Sequence, residues 1–152
     1  MRLLRFSLLL MFCVLAGCNK SKPEPKMVFD IPSLIGKNVD EMKFVLGPPT
    51  MTGIPGSGGG YGGDKEKYRY WNTENANLTI EFDNSTRRII NFIISPGTAA
   101  EKRSFADIKE PLILGNVTED SNNYSIQSVP VVAGSGINEE PGRIWEIRIS
   151  PK

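Results

Sequence analysis

The chain contains no histidine, only two cysteines, and no apolar run long enough to cross a bilayer as a helix. Each absence removes a class of function. Without imidazole the commonest general base and the commonest transition-metal ligand are both missing. A Ser-His-Asp triad cannot be assembled, and no Ser-x-x-Lys replaces it. Net charge is only +1 at pH 7, so the charge balance points to neither nucleic acid nor an anionic lipid surface. The expectation is a non-enzymatic protein with no metal and no dissociable cofactor.

The most specific pattern lies at the N-terminus. Arg2 and Arg5 precede a ten-residue apolar run, Phe6 to Leu15, which has the length of a signal-peptide core. Leu15-Ala16-Gly17-Cys18 follows and resembles the lipobox of bacterial lipoproteins. That resemblance implies that residues 1–17 are a signal peptide cut between Gly17 and Cys18. Cys18 would then carry a covalent diacylglycerol on its thiol and an N-acyl chain on its amine. Each buried methylene contributes about 0.8 kcal/mol, so one chain holds marginally and two or three hold stably. Asn19, not Asp, follows the cysteine. By resemblance to proteobacterial sorting, this places the protein in the cell envelope, on the periplasmic face of the outer membrane if there is one. Cys13 would leave with the leader, so no disulfide is expected. The leader removes two of eighteen Lys and Arg, leaving sixteen against seventeen Asp and Glu.

Residues 18–28 read as the lipidated cysteine and a tether with two prolines, extending about 3 Å per residue. A single α+β domain is expected over 29–152, with a first unit at 29–97 and a shorter second unit at 98–152. Asp30–Gly36 suits one helical turn. Asn38 and Glu41 form a capping-box pattern, and Val39, Met42 and Leu46, with Val45 beside them, predict an amphipathic helix over 39–46 closed by Gly47 and Pro48. Lys67–Trp71, Leu78–Phe82 and Arg88–Ile94 read as strands of an antiparallel meander, the last of them central because both of its faces are apolar. Together these predict short helices packed on one face of an antiparallel sheet.

Met51–Gly63 holds seven glycines in thirteen residues. No Gly-Lys-Ser/Thr ends it and no helix pattern follows, so a loop fits better than a phosphate cradle. In the second half, Ser104–Asp107 is another capping-box pattern, opening a helix that Pro111 interrupts. Tyr124–Val132 and Arg143–Ser150 read as strands, with Trp145, Ile147 and Ile149 on one face. Ile89–Pro96 and Ile144–Pro151 match in pattern at an offset of 55. Either the two halves are a degenerate duplication, or two unrelated strands share a stop signal. Glu119-Asp120 and Glu139-Glu140 read as solvated acids. Asp120–Asn123 lacks the central glycine and distal Glu of a calcium loop.

Gly36–Glu41, Leu46-Gly47-Pro48-Pro49 and the aromatic strand at Tyr68–Trp71, followed by Leu78–Phe82 and Ile89–Ile94, resemble the SmpA/OmlA (BamE-like) and β-lactamase-inhibitor-protein-like superfamily. The resemblance covers residues 35–95. It implies short helices on an antiparallel sheet and a role in binding another envelope protein, either as an assembly accessory or as an inhibitor-like binder. No individual contact residue carries over. From the residues themselves, Tyr68, Tyr70, Trp71 and Trp145 are the candidate binding face. In Tyr70-Trp71 adjacent side chains point opposite ways, so one of them must face away from the helix. The alternative function is a small-ligand sensor or carrier that uses the glycine-rich loop.

Overall fold

The computed structural model describes residues 24–53, 66–98, 104–132 and 140–152. The leader, Cys18, most of the glycine-rich run and Glu139 lie outside the described residues. The strands are β1 (Met51–Gly53), β2 (Tyr68–Asn72), β3 (Ala76–Phe82), β4 (Ile89–Pro96), β5 (Tyr124–Pro130) and β6 (Ile144–Pro151). They form one six-stranded antiparallel sheet in the order β1-β2-β3-β4-β6-β5. Three short helices are seen among the described residues: α1 (Ile31–Leu34), α2 (Met42–Leu46) and α3 (Lys109–Leu114). The content is mixed and mostly sheet.

Alternation in β3 produces the division the sequence predicts. Ala76, Leu78, Ile80 and Phe82 are buried, while Asn77, Thr79 and Glu81 between them are partly exposed. The buried set joins Phe92 and Ile94 of β4 and Ile147 and Ile149 of β6. Ile31, Leu34, Val39, Met42 and Leu114 complete the same hydrophobic cluster. As expected, β4 is central, lying between β3 and β6. The β3–β4 turn is tied by Asp83, whose carboxylate accepts from Ser85 Oγ, Thr86 N and Thr86 Oγ1 at 2.6–2.9 Å. Gly97 passes so close to the β2–β3 turn that a Cβ would collide with the Glu74 carbonyl oxygen and with Ala76 N.

The helical segments depart from expectation in instructive ways. The Asn38 capping box forms: Asn38 Oδ1 accepts from Asp40 N and Glu41 N, and Glu41 Oε2 accepts from Asn38 N. The regular helix nevertheless begins only at Met42. Bonds from Glu41 N to Asn38 O and from Met42 N to Val39 O are three residues apart, the pattern of a tighter turn. A single turn buries a narrow stripe. Val39 and Met42 fill it, whereas Val45 falls on its rim and is 51% exposed.

Ser104 does not cap α3. It is buried, and Arg143 donates to both its Oγ and its carbonyl at 2.8 Å. Nor does Pro111 interrupt the helix. It occupies the first turn, where its missing N–H has no intrahelical partner to lose. At the other end Gly115 is the C-cap and Asn116 takes the left-handed position at φ 53°, with Asn116 N to Ile113 O and Val117 N to Leu112 O closing a Schellman motif. Met51–Gly53, expected in the loop, pairs with β2 as a short edge strand.

The hairpins β3–β4 and β5–β6 share one register. Ala76↔Pro96, Leu78↔Ile94 and Ile80↔Phe92 correspond to Tyr124↔Pro151, Ile126↔Ile149 and Ser128↔Ile147. Both ladders slip at the same step, between Glu81 and Phe82 in one and between Val129 and Pro130 in the other. Each hairpin is also bridged by the segment entering its helix, Asn38 to Arg88 and Phe105 to Ile144. In both cases an arginine just before the last strand clasps that segment: Arg87 on Asp40, and Arg143 on Ser104.

The first clasp is an ionic cluster beside the core. Arg87 Nη2 and Arg69 Nη2 lie 2.8 and 3.0 Å from Asp40 Oδ1, and Arg69 Nε lies 2.8 Å from Glu66 Oε1. Glu66 is 6% exposed, and both guanidinium groups lie over the Phe82 ring. Arg87 holds φ at 60°, a left-handed conformation the cluster and the turn impose.

Three outcomes follow. Glu66→Gln leaves two partly buried guanidinium groups with Asp40 as their remaining carboxylate and is expected to cost about 1–3 kcal/mol, read as a lower denaturant midpoint at unchanged slope. Gly97→Ala drives a methyl into backbone and is expected to cost about 2 kcal/mol in the same assay. Hydrogen bonds from Arg87, then from Arg69, hold the Asp40 carboxyl at a pKa of about 2 against an ordinary 3.8. The folded state therefore binds fewer protons than the unfolded one. The stability this contributes is present above pH 4 and is lost as pH falls towards 2. Asp40→Asn should flatten part of the acid limb of a melting-temperature profile.

Candidate functional site

On the face opposite the core, side chains of neighbouring strands line up in rows because the registers align them. Met51, Tyr70, Thr79, Ile93, Arg148 and Gln127 are successive cross-strand partners, one from each strand. Tyr68, Glu81 and Asn91 form a parallel row. Tyr68 donates its hydroxyl to Glu81 Oε1 at 2.9 Å, and Asn91 Nδ2 donates to Glu81 Oε2 at 2.7 Å. Ser150 Oγ donates to Asn91 Oδ1 at 2.6 Å, carrying the chain of hydrogen bonds from β2 to β6. The Tyr68 and Tyr70 rings stack with centroids 6.5 Å apart. Ile93 is 7% exposed yet lies outside the core cluster, so the face has an apolar centre of its own. Arg148 is exposed, and its guanidinium pairs with Glu146 at 2.8 Å.

Burial, then the hydrogen bond to Glu81, pushes the Tyr68 phenol up to about 12. Burial alone raises that of Tyr70. Glu81 thus acts as a fixed acceptor that orders both the phenol and the Asn91 amide. The face is pre-arranged and mixed in character: aromatic at β2, apolar at β4, cationic at β6.

Of the four aromatic residues singled out from sequence, two stand here. Tyr68 and Tyr70 share the face. Trp71 does not: it is 5% exposed, belongs to the core and donates Nε1 to the Gly47 carbonyl at 3.0 Å. The strand pleat sends it opposite to Tyr70. Trp145 is partly exposed, but it does not share the buried face of Ile147 and Ile149. The register slip at Val129/Pro130 turns Ile144 onto the core in its place. Thr79, Glu81, Asn91, Ile93 and Arg148 were missed as members of the face. Their signal was the alternation that placed Leu78, Ile80, Ile147 and Ile149 inward.

A cleft of about 200 Å³ lies between Ile35–Asn38 and Arg88, Ile89, Phe92, Pro151 and Lys152. Ligand pockets usually run to roughly 300–1,000 Å³. Among the described residues no group of three His, Cys, Asp or Glu is placed to hold a metal, and no helix is long and apolar enough to cross a membrane. Asp120–Asn123 folds on itself, Asn123 N donating to Ser121 Oγ.

Tyr68 supplies a test of the row. Its phenol stays protonated to higher pH in the folded state, so the stability it adds is complete below pH 10 and is lost as pH rises towards 12. Tyr68→Phe should remove that alkaline dependence, and difference absorbance should show one fewer late-ionising tyrosine. Comparison with protein-family models, curated proteins and solved structures gives no match to this chain.

Proposed function

We propose that this chain is a lipid-anchored, non-enzymatic protein of the cell envelope whose domain binds another envelope protein. The leader, the Leu15–Cys18 lipobox and the Pro-bearing tether support the anchor. In this reading the short helices lie on the core face of the sheet, and the opposite face is presented to the partner. One observation carries it: the row from Met51 through Tyr70, Thr79, Ile93 and Arg148 to Gln127 crosses every strand. A row of aromatic, apolar and arginine side chains has the composition of interface anchors. The ordered phenol and amide lower the entropy lost on docking. Neither nucleic acid nor a metal has a part.

The test is in-cell crosslinking of the tagged protein, followed by identification of what stays attached. One dominant envelope partner is expected. Tyr70→Ala and Arg148→Glu should each reduce its capture about tenfold or more, with circular dichroism showing the fold kept. Equal capture by folded variants would remove this face from the reading. Cys18→Ser is expected to move the protein out of the membrane fraction; an unchanged fraction would sink the anchor.

A further inference from the structure

The shared register of the two hairpins exposes one difference between them. In the first, β3 is flanked by β2, with Thr73 N donating to Ala76 O and Phe82 N to Lys67 O. The backbone groups of Ala76, Leu78, Ile80 and Phe82 therefore face outward from β4. By register their counterparts in β5 are Tyr124, Ile126, Ser128 and Pro130. On the other side of β5, Lys152 N bonds Asn123 O and Val131 N bonds Arg143 O, which confirms which residues face β6. The outward row of β5 has no strand beside it among the described residues, since β5 ends the sheet.

Solitary edges are usually guarded by charge, especially lysine, or by a bulge or proline. β5 reads Tyr-Ser-Ile-Gln-Ser-Val-Pro and carries no charge at all. Its one guard, Pro130, stands at the very end. We propose that this edge docks against the same edge of a second copy of the chain, forming a two-fold antiparallel pair centred on Ile126. In that register Ile126 meets its own copy and Tyr124 meets Ser128. Every outward N–H and C=O of these residues is then used, and Pro130 falls outside the pairing, where its missing donor costs nothing. An uncharged strand meets itself without like-charge repulsion. The two-fold arrangement also closes, leaving no further β5 edge to propagate. Ile126, which packs partly against the core, would continue its apolar row into the second copy.

The register makes a specific demand. Ser125 of one copy should stand directly opposite Gln127 of the other, in a non-hydrogen-bonded pair where side chains are close. Both residues are exposed. Full-length Ser125→Cys and full-length Gln127→Cys should be expressed separately and together, then oxidised, with the unsubstituted chain giving the background from Cys13 and Cys18. A disulfide dimer is expected when the two are expressed together, with each alone remaining near background. Light scattering on the purified full-length protein in detergent should give two copies per particle. Ser128→Pro, which deletes an outward N–H with no partner strand among the described residues, should return it to one copy with unchanged circular dichroism. A single copy at every concentration would overturn the proposal. So would crosslinking no greater in the mixture than in either variant alone, including the case where β5 receives a strand from a different protein.

Discussion

The pairing of β4 with β6 is the contact on which the rest of this fold depends. Phe92 faces Ile149 and Ile94 faces Ile147 across it, and all four are fully buried. Burying side chains of this size contributes roughly 1.5–3 kcal/mol each, and here the contribution is made at a seam between two hairpins. Neither hairpin would be stable alone, because a two-stranded ribbon in water cannot bury a face. With no disulfide expected, packing at this seam must carry the joint. The short helices add to the same cluster: α1 brings Ile31 and Leu34, α2 brings Met42, and α3 brings Leu114.

The two sides of the sheet follow from one rule with different consequences. Successive side chains alternate across the pleat, so a strand with one buried face must deliver its remaining residues to the other. In β2 this separates Tyr70 from Trp71. In β3 and β4 it places Glu81 and Asn91 side by side, and their mutual hydrogen bond turns a scattering of polar residues into an ordered row. Polar groups that are half-buried and fully bonded orient one another cooperatively. This is why the face is pre-arranged.

The structure is also an asymmetric doubling of one plan. Register, slip, bridge and arginine clasp recur in both halves, although the residues performing them differ: Asp40 answers Arg87, and Ser104 answers Arg143. The first half adds the ionic cluster around Glu66 and two further strands. The second has a longer connection between its paired strands, residues 131–143 against 83–88. The same register and slip are reached with different residues in the two halves.

Local structure was largely legible in the sequence. The capping box at Asn38, the turn at Asp83, the alternation in β3 and the central place of β4 all depend on residues within a few positions of one another, and short-range chemistry states them directly. The segment entering α2 and the buried Ser104 were not legible, because each is held by a distant partner: Arg87 on Asp40 across 47 positions, Arg143 on Ser104 across 39. Pro111 is harmless for a local reason, its place in the first turn of α3. What the sequence by itself determined was most of the elements, though not β1, and the apolar side of most of them, because hydrophobic periodicity and turn chemistry act within a segment. Only the tertiary structure decided that Trp71 enters the core while Tyr70 stands on the opposite face, that Ile144 displaces Trp145, and that β5 ends the sheet. Those outcomes follow from strand register and bulge position, which are relations between segments far apart in the chain.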